Sequence, residues 1–161
     1  MKKIQTTDAF VLDTSALLTL WNDEEGADWV DHILRSGAPI YISFMSLMES
    51  RYRIWKNVGQ RESREISKYL DLLPLKRIDI TDSIFEKSIE IKAMYSLSVC
   101  DSWIIATAVS MGAVLVHKDP EFEQVKSMVA LENLPYKPLN PKISLENRRG
   151  IPFEEDEEPG G

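Results

Sequence analysis

SVCDSWIIATAVSMGAVLVHKDPEF, residues Ser98 to Phe122, sets one acid at a helix start and a second just past a strand. From Asp101 the apolar residues Ile104, Ile105 and Ala108 recur at i+3, i+4 and i+7, the stripe of a packed helix. Gly112 turns the chain, and Ala113 to Val116 is a continuous apolar run suited to a buried parallel strand. Open α/β sheets keep their sites outside the strand C-termini. Asp101 and Asp119 are therefore expected to share a cleft, although 18 positions separate them. An acidic cleft of this kind is a candidate divalent-metal site. Each acid also has a local reading. Ser98-Val-Cys-Asp101 is a capping box in its Asp form, and Asp119-Pro120 is an N-cap followed by proline.

Working outward, Ala9 to Leu12 reads as a strand ending at Asp13, with Thr14 and Ser15 as turn or cap residues before a helix from Ala16 to Trp21. A helix is expected over Glu24 to Ser36 and a second strand over Pro39 to Ser43. Ser46-Leu-Met-Glu49 then reads as another capping box, opening a helix to about Val58. A further helix, Glu62 to Leu73, leads to a strand at Leu75 to Ile80. Thr81 caps a helix from Asp82 to Met94, with Ile84, Phe85, Ile89 and Ile91 expected inward. A fifth strand is placed at Met128 to Leu131. Strands alternating with helices predict a three-layer α/β sandwich, a roughly five-stranded, mostly parallel sheet covered on both faces.

A chain of 161 residues suits one domain with a sizeable core, here assigned to residues 1–134. Residues 135–161 carry five prolines and the acidic run Glu154 to Glu158, the composition of an arm that is partly disordered. No apolar run approaches the ~20 residues of a membrane-spanning helix. The single cysteine, Cys100, excludes an internal disulfide or a cysteine zinc site and reads as a small buried residue; the cytoplasm is the expected compartment. The net charge of −7 argues at first against a nucleic-acid partner, but residues 147–161 hold −3 of it. The remaining −4 equals the charge of four candidate ligands, Asp13, Glu49, Asp101 and Asp119. Arg51, Arg53, Lys56, Arg61, Arg64 and Lys68 form either a phosphate-facing rim or a solvated helix face.

All four acids stand in strand-to-helix turns or first helical turns, which a parallel sheet gathers along one edge. Their mutual repulsion calls for cations, and oxygen-only ligands favour Mg²⁺ or Mn²⁺ over zinc. Such a site can activate water for displacement at phosphorus.

FVLDTSAL around Asp13, YISFMSLMESRYRI around Glu49, and CDSWIIATAVSMGAVLVHKDPEF spanning Asp101 and Asp119 together resemble the PIN-domain ribonucleases, in the family's order across about residues 8–134. The resemblance implies that Asp13, Glu49, Asp101 and Asp119 hold one or two Mg²⁺ or Mn²⁺ ions. It implies cleavage of single-stranded or loop RNA, leaving 5′-phosphate and 3′-hydroxyl ends. Thr14 or Ser15 would hydrogen-bond the hydrated metal or a phosphate. Small members of this kind resemble VapC-type toxins, homodimers silenced by an antitoxin peptide in the acidic cleft. Trp21, Trp29 and Trp55 on the early helices suit such a dimer. His117 departs from the family, which commonly has a small hydroxyl residue there. An RNA-processing nuclease without an antitoxin, or an inactive PIN-fold scaffold, are the alternatives. A phosphatase with an aspartyl nucleophile wants a second acid where Ser15 stands, and a receiver domain wants an adjacent acid pair near the first strand.

Overall fold

The computed structural model describes residues 3–136. The arm expected at 135–161 therefore lies outside the described residues from 137 onward. The strands are β1 (Phe10–Leu12), β2 (Ile40–Ser43), β3 (Lys76–Ile78), β4 (Val114–His117) and β5 (Leu131–Asn133). They form one sheet in the order β3-β2-β1-β4-β5, and every pairing is parallel. The expectation of a mostly parallel sheet thus becomes a fully parallel one.

Alternation along the strands feeds two cores. Phe10 and Leu12 of β1 and Val116 of β4 face one side, against Leu17 of α1 (Thr14–Trp21), Val30 and Ile33 of α2 (Ala27–Leu34), Ile54 of α3 (Phe44–Asn57) and Ile66 and Leu70 of α4 (Gln60–Asp71). Val11 and Leu115 face the other side, against Ile84 and Ile91 of α5 (Asp82–Met94) and Ile104 and Ile105 of α6 (Val99–Met111). The three layers follow from these two faces. No helix among the described residues is long and apolar enough to cross a membrane.

Helix α6 starts where expected, with the Ser98 hydroxyl accepting from the Asp101 N–H at 3.0 Å. It ends at Gly112, whose φ of 57° is left-handed, the conformation that suits glycine at a helix end. Thr81 caps α5 as read, accepting from the Ile84 N–H at 3.2 Å.

Four expectations are corrected. Helix α3 begins at Phe44, not at a box on Ser46, because Ser43 at the strand end already caps it by accepting from the Met45 N–H at 3.2 Å. Ser46 is consequently buried inside the helix and Glu49 sits in its second turn. Helix α2 begins only at Ala27, since Gly26 has φ 98° and breaks the run from Glu24. Phe85 and Ile89 are 47% and 49% exposed. They lie on the flank of α5 turned from Ile84 and Ile91. The fifth strand lies at Leu131–Asn133, because Val129 is 6% exposed and tucks into the core before the chain joins β4.

These burial differences set an expectation for α5. Ile84→Ala is expected to destabilise by about 2–5 kcal/mol, whereas Ile89→Ala in dilute protein should stay within about 0.5 kcal/mol. Urea midpoints for the two variants check the assignment.

Candidate metal centre

The C-terminal ends of β1 and β4 are adjacent, and the acids collect beyond them. Asp13 leaves β1 and caps α1, accepting from the Ser15 N–H at 3.1 Å and from the Ser15 hydroxyl at 2.5 Å. Its own N–H donates to the Val116 carbonyl at 3.0 Å. The Ser15 hydroxyl also accepts from the Lys118 N–H at 2.9 Å, so one side chain ties both strand exits together. Asp13 is only 3% exposed. Burial pushes its carboxyl from 3.8 up to about 7, against the lowering effect of Ser15 and with added repulsion from Asp101 and Glu49. Thr14 is buried too, and its hydroxyl has no hydrogen-bond partner among the described residues.

Asp101 projects from the first turn of α6, half-buried. Burial raises its carboxyl above the ordinary range. The Ser98 hydrogen bond works against that rise, and the charges of Glu49, Asp119 and Glu121 add to it. Asp119, beyond β4, caps the 3₁₀ turn Pro120–Val125 by accepting from the Glu121 N–H at 2.9 Å. Carboxylate oxygens of Asp101, Asp119 and Glu121 all lie within 4.8 Å of one another. Two ligands of a single hard cation, each about 2.0–2.6 Å from it, stand no further apart than roughly 5 Å. The oxygen-only donors therefore fit one Mg²⁺ or Mn²⁺. Asp13 and Glu49 stand outside that tight group and act on it through charge.

Glu121 escaped the sequence reading. Its signal was present in the run Asp119-Pro-Glu121-Phe122, where a capped tight turn folds an acid two positions on back beside its cap. Glu49, half-buried in α3, lies next to Cys100, and burial followed by the Glu49 charge drives that thiol upward. Cys100 is thus a half-buried neighbour of the acids with no thiolate character.

His117 is fully buried, with its ring 5.0 Å from that of Phe122. Its Nδ1 accepts from the Asp119 N–H at 3.2 Å. Burial lowers its pKa, so the ring is a neutral support under the Asp119 turn. Lys118 turns the other way, its ammonium 3.0 Å from Glu24 with a side chain 8% exposed. The six cations expected as a rim are all exposed on α3 and α4. Arg53 alone among them lines a trough of about 1000 Å³ that reaches Ser15. Lys68 is held by Glu65 at 2.9 Å.

In metal-free protein, Asp13 binds its proton more tightly folded (about 7) than unfolded (3.8). The stability this contributes is fully present below pH 3.8 and is lost as the pH rises through about 7. With chelator present, the melting temperature is expected to fall between about pH 4 and about pH 7, and Asp13→Asn should flatten that fall. An equal slope in the variant would assign the titration to another group.

The family model described as PIN domain matches residues 10–127. No curated protein matches the chain in sequence. Among solved structures, VapBC2 from Rickettsia felis, bound to a DNA fragment from its promoter, aligns with a TM-score of 0.67 at 18% identity, covering 79% of this chain and 99% of that one. The DNA-bound VapBC of Salmonella typhimurium aligns with a TM-score of 0.65 at 22% identity, covering 79% and 98%. Mycobacterium tuberculosis VapC20, a toxin that cleaves the sarcin–ricin loop, gives 0.60 at 16% identity, covering 72% and 94%. At these identities the structures speak for the fold. The family match spans most of the chain, and the chain belongs to the PIN domain family.

Proposed function

We propose that this PIN domain is a Mg²⁺- or Mn²⁺-dependent endoribonuclease and the toxin of a VapC-type toxin–antitoxin pair. The observation that carries the reading is the set of carboxylates at one sheet edge, with Asp101, Asp119 and Glu121 within 4.8 Å of one another. Asp101, Asp119 and Glu121 would hold the ion, with Asp13 and Glu49 completing its surroundings. When bound, the ion would supply an activated water and charge stabilisation at phosphorus. Ser15 spends its proton on Asp13 and so positions that carboxylate, while the unpartnered Thr14 hydroxyl is left to meet the substrate or the hydrated ion. The substrate would be single-stranded or loop RNA, with 5′-phosphate and 3′-hydroxyl products, in the cytoplasm. Solved relatives include toxin–antitoxin complexes from several bacteria, which supports an antitoxin as partner.

A homodimer belongs to the same reading, and a second apolar face joins the one that carries the tryptophans. Trp21 packs against Tyr69 with ring centroids 5.3 Å apart and Trp29 stacks on His32 at 5.1 Å, while Trp55 is 51% exposed on α3. Trp103 links Phe44 at 5.6 Å to Phe85 at 6.2 Å. Around this aromatic row Met48, Phe85, Ile89 and Val99 are each about half exposed. A patch of this kind is what an isologous contact would cover. Light scattering is expected to give twice the chain mass, and Phe85→Asp with Ile89→Asp should give the monomer with secondary structure unchanged.

The chemistry is tested by paired measurements. Asp13→Asn and Asp119→Asn keep the capping bonds, Asp101→Asn and Glu49→Gln keep the side-chain shape, and each removes a charge. Each is expected to leave the metal-free melting temperature unchanged or higher. Cleavage and Mg²⁺ response should fall for Asp101→Asn and Asp119→Asn by more than the ~10–100-fold typical of losing an outer-sphere partner, and for Asp13→Asn and Glu49→Gln by about that factor. Asp101 should be the most damaging. Chelator should abolish cleavage by the unsubstituted protein. Cleavage that survives chelator would overturn the mechanism, and no cleavage of any RNA would favour a scaffold.

A further inference from the structure

Helix α3 starts at the acidic edge and turns one face to solvent. Its inner side carries Ser46, Ser50 and Ile54, all buried, and Arg53, Asn57 and Val58 line the trough shared with α1. The outer side presents Arg51, Tyr52, Trp55 and Lys56, all exposed. At about 3.6 residues per turn, Arg51 stands one turn before Trp55 and Tyr52 one turn before Lys56, so rings and cations alternate over one surface. Tyr52 and Trp55 are 49% and 51% exposed, and neither ring meets another aromatic ring among the described residues. Arg51 and Lys56 form no ion pair among the described residues. The only acid on α3 is Glu49, against the three cations Arg51, Arg53 and Lys56.

This surface begins beside the candidate metal centre. Burial first, then the charge of Glu49 and more weakly that of Asp101, raises the Tyr52 phenol, so its ring stands near both carboxylates. Trp55 follows about 4.5 Å further along the helix axis, somewhat more than the ~3.4 Å between stacked bases, a step that an unstacked single strand can take. Trp55 alone would suit a contact between copies, and the cations beside it turn the choice. A two-fold contact centred here would set Arg51 and Lys56 of one copy against those of the other. Exposed rings interleaved with unpaired cations are instead what holds single-stranded nucleic acid, bases on the rings and phosphates on the cations.

We infer that Arg51, Tyr52, Trp55 and Lys56 form a track on α3 for single-stranded RNA, which leads the strand to the carboxylates. The inference rests on the proposed nuclease and adds the surface that holds its substrate, leaving the Phe85 and Ile89 patch to a second copy.

The test titrates the full chain into a fluorescein-labelled single-stranded RNA of mixed sequence, with chelator present so that binding is read without cleavage. Tyr52→Ala and Trp55→Ala are each expected to weaken binding about tenfold, whereas Tyr52→Phe and Trp55→Phe, which keep a stacking face, should hold it within about threefold. Both alanine variants should bind the base-paired duplex of the same sequence as the unsubstituted chain does, since its bases are already stacked. Arg51→Gln and Lys56→Gln should each lower the slope of log affinity against log salt by about 0.7. Single-strand affinity indifferent to both alanines would overturn the inference, as would an equal loss of duplex binding. Trp55→Ala turning the chain monomeric in light scattering, with RNA affinity unchanged, would give the face to a second copy and overturn it too. Ring-dependent binding by a chain that cuts no RNA with Mg²⁺ or Mn²⁺ would leave the track standing and count against the nuclease alone.

Discussion

The hydroxyl of Ser15 holds the site together. It donates to the Asp13 carboxylate and accepts from the Lys118 N–H at 2.9 Å, bridging 103 positions of sequence. The two strand exits it joins belong to β1 and β4, neighbours at the heart of the sheet. Beside it the Asp13 N–H meets the Val116 carbonyl at 3.0 Å, and the Lys118 ammonium meets Glu24 at 3.0 Å. The chain leaving β4 is therefore gripped on three sides before it reaches Asp119. A carboxylate that must stand opposite Asp101 gains its position from this grip, and the neutral His117 underneath completes it with a bond from the Asp119 N–H.

The cost of that arrangement is electrostatic. Two full charges 4.8 Å apart at an effective dielectric of about 20 repel by roughly 3 kcal/mol, less where Glu121 meets solvent. Asp13 and Asp101 hold their protons more tightly, first because they are buried and further because of this repulsion. A fold built only for stability would place amides or apolar groups there. Packing on both faces of a parallel sheet supplies the stability that the edge gives up, since Leu12, Leu17, Ile104, Ile105 and Leu115 are all fully buried. Repelling carboxylates on such a rigid support are an arrangement that cation binding relieves.

Much of this was legible in the sequence, and the misses share a physical cause. Helix α6 and strand β4 were readable because a serine cap, an apolar stripe, a glycine stop and an apolar run all agree. Around Glu49 two serines competed, and sequence alone does not show that Ser43 at the strand end takes the helix start while Ser46 is buried behind it. Phe85 and Ile89 fit a helical stripe, yet α5 packs through Ile84, Ser88 and Ile91. Apolar character fixes which residues prefer burial, but not which flank of a helix the neighbouring α6 will cover. Glu121 was invisible for a different reason. It reaches the cluster through a 3₁₀ turn two residues long in its effect, and no periodicity reports a turn of that size.

Capping and ligation first present themselves as rival explanations of every acid on this edge, and the atoms remove the rivalry. Both bonds that Asp13 accepts from Ser15 fall on Oδ2, and the bond that Asp119 accepts from Glu121 falls on Oδ1. A carboxylate has two oxygens with about four acceptor sites between them. One oxygen fixes the side chain to the start of a helix, and the other remains for the cluster. The parallel sheet offers this opportunity at the neighbouring exits of β1 and β4, where the chain turns into a helix whose first N–H groups want an acceptor. The two helical starts that use acids as caps, at Asp13 and Asp119, thereby deliver those acids to one edge already oriented. The same hydrogen bonds that begin the helices make the edge fit for a hard cation.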